Sequence, residues 1–190
     1  MLKTLDKPVA AKVTEVQAPT CPYCGEGSEL ASSLEVYHKD YGPIYICRPC
    51  QAWVGCHMGT VRPLGRLANA ELRKAKQAAH KAFDPLWMKG YMDRRDAYAW
   101  LVGRLGVPGT LCHIGIMDVE GCLKVIEVCQ NLPMIYRVVD EDDKVAAIVM
   151  DHEDRVQYAR GFAKTFLKLK MRSVNSTARQ NGWEIIPISL

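Results

Sequence analysis

The chain has no apolar run near the roughly 20 residues a helix needs to cross a bilayer. Its opening, MLKTLDKPVAAKVTEVQAPT, has no continuous apolar stretch and carries acids, so a secretory signal is not expected there and residues 1–19 read as a flexible lead-in. Also missing are a glycine-rich phosphate loop, a nucleophile elbow and an HExxH pair, which removes the sequence-readable nucleotide hydrolases, serine hydrolases and zinc proteases. His57, His80 and His113, with Asp84 or Asp118, hold the residue types of a hydrolytic site, but nothing in their spacing demands one. A non-catalytic protein is the expectation.

What is present is an ordinary globular mixture, 48% hydrophobic and 24% charged over 190 residues, enough for one domain or two small ones. The net charge of +4 is modest, but its distribution is not even. Residues 60–105 carry 10 basic and 4 acidic residues, 106–151 carry 3 and 8, and 152–190 carry 7 and 3. Two basic segments flanking an acidic one suit a nucleic-acid footprint. Internal pairing of the three segments accounts for the same pattern.

Eight cysteines without a secretory signal point to a reducing compartment, the bacterial cytoplasm, and there CxxC pairs signal metal more often than disulfides. Cys21 and Cys24 in CPYCG face Cys47 and Cys50 in CRPC across a stretch with hairpin character. Pro22 and Pro49 preset the two turns. Gly25 can adopt the positive φ that leaves backbone N–H groups free to face sulfur. Zinc takes four thiolates in a tetrahedron, and two such turns supply two each. The pattern predicts a zinc ribbon over 20–60 holding one structural Zn2+ on Cys21, Cys24, Cys47 and Cys50, with strands at SSLEVYH, IYIC and QAWV and a turn at KDYGP. All-thiolate ligation leaves no open position, so the site is expected to be structural.

Cys56 and His57 echo Cys112 and His113, but packing explains the cysteines without a second metal. Cys122 and Cys129 share a helical face with Val125 and Ile126, as core residues do. His57 and His113, each between glycines, are polar anchors or members of a shared functional pocket.

The next segment, 61–132, reads as helical. A helix over 70–82 is capped by Asn69 and buries Leu72, Ala75, Ala79 and Phe83. A second begins near Asp93, buries Ala97, Trp100, Leu101 and Leu105, and stops at Gly106. A third starts after Asp118 and runs to about 130. Its Glu120 and Glu127 would repel phosphate, which argues against a DNA-reading helix-turn-helix. Residues 133–190 read as an α+β end. A hairpin of MIYRVV and VAAIVM surrounds the charged turn DEDDK. A helix over about 153–170 buries Ala159, Phe162, Ala163, Phe166 and Leu169, followed by a shorter helical piece and a final strand at WEIIPIS. On that helix Arg160, Lys164 and Lys168 recur every four residues as a basic ridge.

Together CPYCG, CRPCQAWVGCH, RPLGRLANAELRKAKQAAHKAFDPLW, AYAWL and CHIGIMDVEGC resemble the zinc-finger-containing domain family of phages and bacteria, a domain of unknown function. The resemblance covers about 21–130. It implies zinc on the four CxxC cysteines and a phage or prophage origin, but no activity. Residues from 134 onward fall outside it.

The overall expectation is an α+β protein that binds nucleic acid through Arg62, Arg66, Arg73, Lys74, Lys76, Arg160, Lys164 and Lys168. The alternative is a module docking on a host enzyme or defence complex through an exposed patch around Trp53, Trp87 or Tyr91. DNA, RNA and protein partners all remain open at this stage.

Overall fold

The computed structural model describes residues 17–131, 134–151 and 153–188. Most of the lead-in, residues 1–16, therefore lies outside the described residues. The architecture is α+β, as expected, and the chain divides between Leu67 and Ala68 into two compact units.

The first unit is a small antiparallel sheet in the order β1 (Glu29–Ser32), β2 (Pro43–Cys47), β3 (Ala52–Gly55). The strands IYIC and QAWV stand where the sequence placed them. The first strand does not: it covers Glu29–Ser32, and Ser33–Glu35, in the middle of SSLEVYH, forms a 3-10 turn. Ser33 is the reason. Its fully buried hydroxyl donates to Asp40 Oδ1 (3.1 Å) and accepts the Tyr41 N–H (2.7 Å). A serine that satisfies local groups in this way competes with the strand ladder. Asp40 Oδ1 also accepts the Gly42 N–H at 2.8 Å, which closes the KDYGP turn.

The second unit joins helices to a four-stranded sheet. Helix α1 (Ala70–Phe83) starts at Asn69, whose side chain accepts the Leu72 N–H. Its apolar stripe buries Leu72, Ala79 and Phe83, with Ala75 packed alongside. A short helix α2 (Pro85–Met88) follows at once, and α3 (Arg94–Leu105) ends at Gly106. Helix α4 (Val119–Gln130) is capped by Asp118, which accepts the Gly121 N–H at 2.8 Å. Cys112, Cys122, Val125 and Cys129 are buried in the shared helical core, the packing role expected of those cysteines.

Strands β4 (Ile135–Val139), β5 (Val145–Met150), β6 (Val156–Arg160) and β7 (Glu184–Ile188) form an antiparallel sheet in the order β6-β5-β4-β7. The DEDDK segment is the tight β4–β5 turn, organised by Asp140 Oδ1 accepting the N–H groups of Asp142 and Lys144. The helix expected over 153–170 is not there. Its first part is β6, and Gly161–Phe166 is a 3-10 helix. Gly161 breaks the pattern with φ +60, and a Cβ there would meet the Ala146 Cβ at 3.1 Å. The predicted apolar residues are nonetheless the buried ones. Ala159, Ala163 and Phe166 are core, with Phe162 and Leu169 packed against it, under helix α5 (Met171–Gln180).

Candidate metal centre

The four CxxC cysteines converge. Cys21 leaves an isolated bridge at Thr20, and its knuckle closes when the Gly25 N–H bonds the Cys21 carbonyl at 2.9 Å with Gly25 at φ +78. Cys47 is the last residue of β2, and Cys50 sits in the turn into β3, where the Gln51 N–H bonds the Arg48 carbonyl. One atom from each side chain lies within 4.8 Å of all the others. The Cys24 and Cys47 sulfurs are 3.6 Å apart. That is far beyond the ~2.05 Å of a disulfide. It matches the ~3.8 Å edge of a tetrahedron whose Zn–S bonds are ~2.3 Å.

The electrostatics are those of a site that needs a cation. Burial pushes the Cys21 thiol up, but the N–H groups of Tyr23 and Cys24 and the neighbouring thiols outweigh it and bring it down to about 7. Cys50 is pushed up to about 12, first by the Cys24 thiol and then by burial. Four thiols at this spacing cannot all ionise without positive charge between them. A divalent ion supplies that charge and makes every sulfur a thiolate ligand. Cys21 and Cys47 are buried, Cys50 is half-buried and Cys24 is exposed. Leu67 and Ala52 pack on the inner pair.

Neither Cys56–His57 in the first unit nor Cys112–His113 in the second belongs to another ligand cluster among the described residues. His57 is exposed in a turn, its N–H on the Arg62 carbonyl at 2.9 Å. His113 stacks on Tyr98 (centroids 5.6 Å), and its Nδ1 accepts the Gly115 N–H at 3.2 Å. Desolvation, then the positive charges of Arg94, His80 and Lys76, hold the His113 imidazole below its usual range. Nearby, His80 Nδ1 contacts Asp84 Oδ2 at 3.1 Å, and Arg94 lies over Tyr98 at 5.2 Å.

The predicted basic residues are distributed rather than gathered. Arg62 and Arg66 belong to the first unit. On α1, Arg73 donates to the Ala68 carbonyl (2.6 Å) and Lys76 to the Gly115 carbonyl (2.7 Å), while Lys74 is exposed. Arg160 ends β6, Lys164 lies in the 3-10 helix, and Lys168 occupies a left-handed turn position at φ +68. The three share no helix face. Sequence reasoning gave no binding role to Lys89 or Arg137, which carry no motif and are separated by 48 positions in the chain, yet both line one bay on the sheet.

Fold and site together define a small α+β protein organised around a four-cysteine structural zinc site. The chain belongs to the zinc-finger-containing domain family, whose model matches residues 17–132. No curated protein and no solved structure matches it. Among the described residues no helix is long and apolar enough to cross a membrane.

Proposed function

We propose that the protein is a zinc-stabilised, non-catalytic nucleic-acid-binding protein of phage or prophage origin, acting in the bacterial cytoplasm. The observation that carries the reading is the condition of the surface bases. Lys74, Lys164 and Lys168 are exposed, and among the described residues no carboxylate forms an ion pair with them. Two acids of the middle segment pair locally instead: Glu120 holds Lys124 at 2.7 Å and Asp142 holds Lys144 at 2.8 Å. Arg172 and Arg179 line a shallow groove along α5 with Asn175, Ser176 and Gln180. Bases in this state release counterions when they meet phosphate, which makes affinity fall steeply with salt.

The test is fluorescence anisotropy of the zinc-loaded protein with labelled single- and double-stranded DNA and RNA at two salt concentrations. Binding that weakens sharply with salt, and weakens further in Lys164→Glu/Lys168→Glu, is expected. No binding at low salt would sink the reading.

A second reading, docking on a host protein, rests on a different observation. Tyr37 packs edge-on against Tyr41 (5.5 Å) and Trp53 (6.2 Å), beside Ile44 and Leu64, around a depression of about 450 Å3. Tyr41 is 70% exposed. Exposed aromatic clusters of this kind suit protein contacts. Association with a host protein that persists at high salt after nuclease treatment, and is lost in Tyr41→Ala, would favour it.

A further inference from the structure

The two faces of the C-terminal sheet are treated differently. Val138, Ala146, Ile148, Val156 and Ala159 point to one face, which is closed by Ala163, Phe166, Val174 and Ala178. On the other face Ile135, Val149 and Tyr158 enter the helical core, and the end beyond them is open. There the register sets Arg160, Ala147, Arg137 and Ile186 in one row across all four strands. The two arginines therefore flank a small alanine, with their Cα atoms two strand spacings apart, about 10 Å.

Around this row lies a bay of about 470 Å3. Val145, Ala147, Ile186 and Ile188 contribute an apolar floor, and Lys89, Gly90 and Tyr91 form the rim after α2. The Arg160 guanidinium donates to the Gly90 carbonyl, which ties it to that rim. Among the described residues no carboxylate lines the bay; Glu184 stands one row away, opposite Val139. Three cations drawn to one concavity repel one another until an anion enters. Arginine forks fit phosphate oxygens in particular. An apolar floor beside a tyrosine ring suits a flat ring, and the volume is that of a small-ligand site.

We propose that this bay binds a nucleotide, with phosphate held by Arg137, Arg160 and Lys89 and the base lying on the Ala147–Ile186 floor beside Tyr91. The nucleotide is either free or one unit of a single strand, since a duplex keeps its base faces stacked. For a strand the proposal rests on the nucleic-acid reading above; for a free nucleotide it stands without it.

The experiment uses the full, zinc-loaded chain. Binding of adenosine monophosphate and of inorganic phosphate is measured by calorimetry, and binding of a labelled single-stranded oligonucleotide by anisotropy. The variants are Arg137→Glu, Arg137→Lys and Lys89→Glu, all at exposed positions, with Lys164→Glu as comparator and circular dichroism and zinc content as folding controls. The bay predicts that Arg137→Glu weakens the nucleotide by ~10-fold or more, that Arg137→Lys restores part of it, and that Lys164→Glu leaves adenosine monophosphate unaffected. Oligonucleotide binding indifferent to Arg137→Glu, with no monophosphate binding, overturns the bay and leaves the nucleic-acid reading standing. Monophosphate binding lost in Arg137→Glu, with no oligonucleotide binding, keeps the bay and removes that reading. Inorganic phosphate binding as tightly as the monophosphate overturns the role given to the floor.

Discussion

The sulfurs of Cys24 and Cys47, one from each CxxC turn, stand 3.6 Å apart, at the edge length of a thiolate tetrahedron around a single ion. One zinc per chain is therefore expected by native mass spectrometry. Cys21→Ser or Cys47→Ser, or a strong chelator, should remove it and expose the β2 amides of Ile44 to Cys47 to hydrogen exchange. Cys122→Ala should keep full zinc, because that cysteine packs in the helical core. Retention of stoichiometric zinc in Cys47→Ser would refute the ligand set.

Ser33→Ala should cost about 1–2 kcal/mol, since it removes the hydrogen bonds that the buried hydroxyl makes with the Tyr41 N–H and Asp40 Oδ1. Thermal unfolding of the zinc-loaded protein reads the loss. Faster exchange at Tyr41 and Gly42 would locate it in the turn before β2. Unchanged exchange there would mean that the turn holds without the serine.

Gly161→Ala tests why β6 stops where it does. The position has φ +60, and the added methyl would meet the Ala146 Cβ at 3.1 Å. Backbone strain and crowding together should destabilise the protein by about 1–3 kcal/mol in denaturant unfolding. A stabilised variant would instead indicate that the segment can revert to the helix its periodicity suggests.

His113 should titrate below the ordinary imidazole value of 6.5 in an NMR pH series. Its folded pKa is depressed, so the unfolded chain takes up the proton first. Stability is then full above about pH 6.5 and declines as pH drops from there through the lower folded value. Arg94→Gln removes one of the positive charges responsible and should move the His113 midpoint upward. No movement would remove Arg94 from the causes of the depression.

Much of the fold was legible because its signals are local. Asn69 and Asp118 cap the helices they were expected to cap, since an N-cap depends only on neighbouring backbone. Leu72, Ala79, Phe83, Ala97 and Leu101 are core, as the 3–4 spacing required. The segment 153–170 shows the limit of such reasoning. Its apolar residues were identified correctly and its conformation was not. Ala159, Phe162, Ala163, Phe166 and Leu169 fit a helical period, but pairing with β5 satisfies the backbone of β6, and Gly161 turns the chain. In the same way, the buried bonds of Ser33 moved β1 upstream of the alternating residues that suggested it.

The sequence by itself determined the zinc ligands, because CxxC knuckles place two sulfurs within a single turn and four such sulfurs demand an ion. It also determined the three longer helices of the middle segment, where caps and apolar spacing act within a few residues, though not the short α2. Only the tertiary structure decided which bases share a surface. Arg160 leaves its supposed ridge and meets Arg137 across Ala147, and Lys89 joins them from another element. Strand register is the physical reason: pairing between distant segments sets side chains in rows that no spacing along the chain records.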